Sequence, residues 1–171
     1  MKKLFLFTLI ICLLAGVTAS AQREKTKRVS APAKLSVITK KGITISIDYS
    51  RPAVKGRIIG KDIAPYGKIW RTGANEASVF EISRDAKIQG HALAAGKYSL
   101  YTIPGEKEWT IIFNKDWKQW GTIYKDGSDA LRVKAKASTV SSFAENLTFT
   151  IAENGSVALL WGNSKVEFKV K

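Results

Sequence analysis

The sequence predicts an all-β domain, an antiparallel two-sheet sandwich with a jelly-roll-like arrangement and about nine strands. Two observations predict it: apolar and polar residues alternate with a period of two along most of the chain after Leu35, and short turn motifs separate the alternating runs. No window of a dozen residues carries a helical stripe, and the best short helical turn is expected around residues 117–120. With 171 residues, of which 45% are hydrophobic, the chain can form one domain with an ordinary core.

The N-terminus is predicted to be a signal peptide over residues 1–21. A short positive segment precedes an apolar stretch from Leu4 to Val17, and residues 19–21 (ASA) match a small-x-small cleavage pattern. The apolar stretch is shorter than the roughly 20 residues that span a bilayer. We therefore expect an exported protein that begins near Gln22, in the periplasm or at the cell surface of a Gram-negative bacterium, with no transmembrane segment after cleavage.

Composition excludes several kinds of site once this leader is removed. The one cysteine and the one methionine lie within it, and a single histidine remains. A His/Cys metal centre, a Cys/His nucleophile and disulfides are therefore not expected, nor is any metal or cofactor. Loss of Lys2 and Lys3 lowers the net charge from +14 to +12. Nucleic acid is not the expected partner, because the chain is exported, lacks a recognition helix and scatters its lysines over outward strand faces.

Residues 22–34 are polar and basic and have almost nothing to bury, so we expect a flexible linker there. The alternative is that this segment tethers the protein to an anionic envelope. Residues 35–171 then form a single β-sandwich domain.

Eight of the predicted strands have clear patterns. Those expected to bury one face are Ile43–Tyr49, Leu131–Ala137, Leu147–Ile151 and Val166–Val170. Those expected to be more deeply buried are Ser78–Ser83, Lys97–Ile103, Trp109–Phe113 and Val157–Trp161.

Turn motifs lie between these runs. Asn154-Gly155 separates two alternating runs and is a strong hairpin signal, Pro104-Gly105 should join the two central strands, and Gly162-Asn163 should join the last two. His91 follows Gly90, so we interpret it as an exposed hairpin residue rather than a catalytic one.

The long irregular stretch from Ser50 to Asn75 is the first place to look for function, because structureless loops of this length are uncommon in small domains. It is rich in Arg and Lys, and the Arg side chain matches carboxylate and phosphate groups in shape. The candidate ligand-binding residues are Arg51, Arg57, Arg71, Asn75 and Glu76. The alternative is that Arg71 and Glu76 pair with each other and only hold the loop in place.

A second candidate is an aromatic platform at Trp117 and Trp120, because exposed aromatic rings stack on sugar rings. The alternative is that these rings fill the core or cap its ends, as large aromatic residues usually do. Trp109 and Trp161 lie in apolar strands and are expected in the core.

Several motifs resemble those of a secreted bacterial family, domain of unknown function 2911. They are YSRP at 49–52, KGRIIG at 55–60, PYGKIWRTGANEA at 65–77, LAAGKYSL at 93–100, TIPG at 102–105 and WTIIFN at 109–114. The resemblance extends from about Lys34 to the end of the chain; Ala94 departs from it, since similar sequences often carry proline there. It implies a single domain exported by Bacteroidetes, sometimes found with helical repeat modules. It implies no established activity and supplies no catalytic residues.

Three functional hypotheses follow. The leading one is a non-enzymatic module that binds an anionic envelope polymer or a carbohydrate. The second is a hydrolase of a glycan or other polar polymer, with Glu76 as acid/base, Arg71 as electrostatic stabiliser, and Asp62 or Glu81 as the second carboxylate. The third is a structural envelope protein without a ligand.

Overall fold

Nine antiparallel strands form most of residues 27–171, which are the residues that the computed structural model describes. The predicted signal peptide and residues 22–26 of the predicted linker lie outside them. The strands are β1 (Pro32–Ile38), β2 (Thr44–Ser50), β3 (Ser78–Ile82), β4 (Ala86–Ile88), β5 (His91–Leu93), β6 (Gly96–Ile103), β7 (Glu108–Asn114), β8 (Asp129–Ile151) and β9 (Ser156–Lys169).

Seven strands form one curled antiparallel sheet in the order β1-β2-β3-β6-β7-β8-β9, and β4 pairs with β5 in a separate small sheet. The prediction of an all-β antiparallel fold is confirmed. The 23-residue strand β8 pairs with β7 along its first part and with β9 from Ala137 onward. Its far part returns to the chain leaving β2, where Val54 N donates to Glu145 O and Leu147 N donates to Pro52 O. This curl places one face of the sheet inside.

The inward face carries the core. Phe80, Phe113 and Phe168, from β3, β7 and β9, have ring centroids 5.0 to 6.0 Å apart. Trp161 stacks on Trp70 at 4.9 Å, and Trp109 meets Trp70 edge-on. Trp109 and Trp161 are each 2% exposed, which confirms their predicted place in the core.

Two predicted strand boundaries are wrong. Leu131–Ala137 and Leu147–Ile151 belong to one strand, β8, whose register shifts twice between them. Val157–Trp161 and most of Val166–Val170 lie in β9, so Gly162-Asn163 is not a turn. Gly162 has φ 56°, a left-handed conformation that bends the strand while its pairing with β8 continues. The eight strands with clear patterns therefore become six, and β1, β4 and β5 bring the total to the expected nine.

The other turns agree with the sequence. Asn154-Gly155 joins β8 to β9, and Gly155 has φ 80°. His91 is exposed on the β4–β5 hairpin. The expected helical turn at residues 117–120 is wrong, because that segment is an irregular loop. The described part of the chain has a single helical element, a 3-10 turn at Asp126–Ser128.

The start of β1 lies at Pro32, so the last three residues of the predicted linker belong to the sheet. Their side chains alternate like those of the rest of β1, with Ala33 turned inward and half-buried. The main chain before this strand also makes contacts, because Arg51 N donates to Ala31 O at 2.9 Å.

Candidate functional site

A cleft of about 700 Å³ lies on the outward side of the curled sheet, across β1, β2 and β3. Its floor includes the outward-facing side chains of Pro32, Lys34, Asp48 and Val79. One wall is the segment 117–119, and Arg28 forms part of the rim. We call this concavity the cleft.

The wall belongs to the loop between β7 and the 3-10 turn, here called the wall loop (residues 115–125). Asn114 is fully buried at its base. Its Nδ2 donates to Lys125 O at 2.7 Å and to Asp129 Oδ1 at 2.8 Å, while its Oδ1 accepts from Asp116 N at 2.9 Å. One side chain therefore fixes both ends of the loop.

Tyr101 supports the same loop from beneath. It lies on the outward face of β6, yet it is only 1% exposed because the wall loop covers it. Its hydroxyl donates to Ile123 O at 2.6 Å and accepts from Gln119 Nε2 at 3.2 Å. Burial raises the pKa of the Tyr101 hydroxyl, while the bond from Gln119 and the charge of Arg71 oppose that rise. The wall is therefore a fixed surface built onto the sheet.

The short segment before β1 closes the other side of the cleft. Arg28 Nη1 donates to Glu76 Oε2 at 2.6 Å, an ion pair between partly exposed side chains. Asn75 Nδ2 contacts Ser30 O at 3.3 Å and Ser50 Oγ at 3.2 Å. Asn75 has φ 62°, which turns the chain so that Glu76 reaches the rim.

The five predicted ligand-binding residues do not all converge here. Of them, only Glu76 lines the cleft, with Asn75 adjacent. Arg51 donates to Leu147 O at 3.1 Å and to Thr148 Oγ1 at 3.0 Å, and so fastens the loop to β8. Arg57 donates to Val54 O and Ala53 O within its own loop. Arg71 packs against Gly121 of the wall loop, and a β-carbon placed on Gly121 would lie 2.7 Å from Arg71 Cδ.

The two predicted platform residues lie on the wall loop and are both partly exposed. Trp117 is 36% exposed and lines the cleft. The ammonium group of Lys97 lies 5.2 Å from the centroid of its ring. Trp120 is 46% exposed but is not among the residues that line the cleft, although its main chain forms a bridge with Glu76.

The family described as "Protein of unknown function (DUF2911)" matches residues 30–170, which include every strand of the fold. The chain belongs to the DUF2911 family. No curated protein and no solved structure matches it.

In this DUF2911 domain neither carboxylate suggested as the hydrolase partner of Glu76 lines the cleft. Asp62 Oδ2 accepts from Ile58 N at 2.9 Å within the long loop. Glu81 lies 3.6 Å from Lys97 Nζ in an exposed ion pair. The acid that shares the cleft with Glu76 is Asp48, on the outward face of β2.

Five residues that shape the DUF2911 cleft are not among the predicted site residues, namely Arg28, Lys34, Asp48, Tyr101 and Asn114. Asp48 has the pattern of an ordinary wet-face residue of an alternating strand, and Lys34 was expected at the end of the flexible linker. The one available signal was a polar residue, Asn114, that directly follows the buried run Trp109–Phe113.

Two further findings concern the described residues of this DUF2911 chain. Between residues 27 and 171, no group of three or more His, Cys, Asp or Glu side chains is placed to hold a metal ion. Within the same range, no helix is long and apolar enough to cross a membrane.

Proposed function

We propose that this protein is an exported, non-enzymatic module that binds an acidic saccharide in the cleft. The observation that carries the proposal is the partly exposed ring of Trp117 on the cleft wall, bordered by cations. Lys97 lies beside the ring, and Lys34 and Lys118 line the same concavity. The predicted signal peptide supports export to the periplasm or cell surface of a Gram-negative bacterium.

The chemistry of these groups matches a sugar that carries carboxylate or sulfate groups. The C–H face of a sugar ring packs against an aromatic face, which costs little conformational entropy when the ring is already held in place. Lysine ammonium groups attract the acidic substituents. The cleft also offers Asp48, Gln119 and the paired Glu76 as polar groups for hydroxyls, as is typical of sites with a few placed polar groups.

A fixed wall favours binding. The wall loop is held by Asn114 and Tyr101 at several points, so the ring of Trp117 is positioned before a ligand arrives. Such preorganisation reduces the entropy lost on association.

A hydrolase is less well supported. Glycoside hydrolysis usually requires two carboxyl groups that face one another across the substrate. Neither Asp62 nor Glu81 lines the cleft, and the Glu76 carboxylate pairs with Arg28. The pair Glu76 and Asp48 is the arrangement that a hydrolase would have to use.

The test compares Trp117→Ala with the matched control Trp120→Ala. Binding of polygalacturonate, an acidic polysaccharide, and of neutral dextran is measured by isothermal titration calorimetry. We expect the wild type to bind polygalacturonate more tightly than dextran. Trp117→Ala should weaken binding by about threefold to tenfold, since an aromatic contact contributes about 0.5–1.5 kcal/mol.

Trp120→Ala should bind like the wild type, because its ring lies outside the cleft. Absence of binding by the wild type to both polysaccharides would favour a purely structural protein. Release of reducing ends from either polymer, abolished by Glu76→Gln, would favour the hydrolase instead.

A further inference from the structure

A second surface, separate from the cleft, combines exposed apolar side chains with cations. It lies on the segment between β2 and β3 and the adjoining part of β8. Ile58 and Phe143 are each 57% exposed, and Tyr66 is 44% exposed. The same segment carries four exposed cations, Lys55, Arg57, Lys61 and Lys68. We call this set the loop surface.

Close packing brings Phe143 and Tyr66 to the same stretch of the loop, residues 59–60, which directly follows Ile58. A β-carbon placed on Gly162 would lie 3.0 Å from Ile59 Cδ1 and 3.7 Å from Phe143 Cε2. Gly60 follows Ile59 in the chain and is covered by the ring of Tyr66. A β-carbon placed on Gly60 would clash with that ring. The apolar residues therefore follow one another from Phe143 through Ile59 to Tyr66.

The loop is fixed in this exposed arrangement. Gly60 N donates to Ile63 O at 2.8 Å, and Tyr66 N donates to Gly60 O at 2.9 Å. Arg57 Nη2 donates to Ala53 O at 2.7 Å. A stable apolar surface in contact with water indicates an interaction site more strongly than isolated exposed side chains do.

Charge complementarity identifies the partner. Two carboxylates that bond to this segment are turned toward main-chain N–H groups, Asp62 toward Ile58 N and Glu145 toward Lys55 N, each at 2.9 Å. The four cations outnumber these two acids, so the loop surface attracts anions around an apolar centre. Protruding apolar side chains ringed by lysine and arginine are typical of proteins that lie on a membrane interface.

We propose that the loop surface docks the protein onto an anionic lipid bilayer. Ile58, Tyr66 and Phe143 enter the interface between headgroups and acyl chains, while the surrounding cations contact lipid phosphates. The docking is peripheral and reversible. It does not depend on the proposed saccharide site.

The test measures cosedimentation with phospholipid vesicles, using the form that begins at Gln22, which contains every described residue. Vesicles of phosphatidylcholine alone are compared with an equimolar mixture of phosphatidylcholine and phosphatidylglycerol. We expect binding to the mixed vesicles only. Ile58→Ser and Phe143→Ser should each lower the partition coefficient about tenfold, and Lys61→Gln about fivefold.

Ile38→Ser is the matched control, because Ile38 is 67% exposed. It lies at the end of β1 and pairs with Thr44 at the start of β2, whereas the loop surface begins beyond the opposite end of β2. It should bind like the wild type. Intrinsic fluorescence of the buried tryptophans reports that each variant is folded.

Failure of the wild type to sediment with the mixed vesicles would overturn the proposal. An equal loss of binding in Ile58→Ser and Ile38→Ser would overturn it as well. Reversible self-association that Ile58→Ser abolishes, without vesicle binding, would instead assign the loop surface to a second copy of the chain.

Discussion

At the scale of single residues, a glycine and a buried asparagine determine whether the cleft has a wall. Asn114 provides the polar contacts that hold the ends of the wall loop. Gly121 allows the middle of the loop to approach the segment before β3, since a β-carbon there would lie 2.7 Å from Arg71 Cδ and 2.9 Å from Asn75 O. Neither residue needs to touch a ligand to control the site.

Gly121→Ala should therefore destabilise the fold and displace Trp117. Because the neighbour at 2.9 Å is main chain, which cannot move aside cheaply, we expect a loss of about 1–3 kcal/mol in the free energy of unfolding. Chemical denaturation measures it. The control is Gly127→Ala, where a β-carbon would meet nothing within 4 Å. Equal stabilities for the two variants would contradict this account of the wall.

At the scale of elements, the wall loop ends in a polar network that anchors it to β8. The Tyr124 hydroxyl donates to Asp129 Oδ2 at 2.7 Å and accepts from Arg132 Nη2 at 2.7 Å. Arg132 Nε also donates to Asp129 at 2.7 Å. Burial, followed by the bond to Asp129, raises the pKa of Tyr124 from 10.0 to about 12.

This network predicts a loss of stability at alkaline pH. Because the pKa is higher in the folded protein, the contribution of Tyr124 is complete below pH 10 and is lost as the pH rises through about 12. Tyr124→Phe should flatten the decline in unfolding free energy over that range, as measured by denaturant titration at several pH values. Tyr66→Phe, outside the network, should keep the wild-type slope. A Tyr124→Phe variant that kept it too would contradict the prediction.

At the scale of the whole molecule, β8 and the aromatic core connect the two parts of the curled sheet, namely the strands up to β7 and the β8–β9 pair. β8 pairs with β7 and then with β9, so one strand crosses the whole fold. Phe168 of β9 meets Phe80 and Phe113 in the interior. We therefore expect the described domain to unfold in one cooperative transition, with coincident curves for tryptophan fluorescence and far-ultraviolet circular dichroism.

Phe168→Ala tests this unity. Phe168 is only 3% exposed, and truncating a buried phenylalanine costs about 3–5 kcal/mol. The free energy of unfolding obtained from each of the two spectroscopic signals should fall by that amount. Phe143→Ala, at a phenylalanine that is 57% exposed, should change stability by no more than about 0.5 kcal/mol. Separate transitions for the two signals would show that the parts of the sheet unfold independently.

Fold class and much of the core follow from the amino-acid sequence alone. Alternation with a period of two depends only on which face of a strand is buried, so Ile45, Ile47 and Phe80 could be assigned to the interior directly. Trp109 and Trp161 followed from apolar runs. The turn at Asn154-Gly155 followed from local backbone chemistry, which the sequence also encodes.

Which residues form the cleft depends on how the strands and loops pack in three dimensions. Lys34 and Asp48 are neighbours across two strands, and Trp117 reaches them from a loop far along the chain. Two of the three predicted ligand-binding arginines, Arg51 and Arg57, instead donate to main-chain oxygens. The curl of the sheet brings Leu147 O near Arg51, and the loop itself brings Ala53 O near Arg57. A side chain's role depends on its partners in space, and for a meander of long strands those partners are set by register and curl rather than by local pattern.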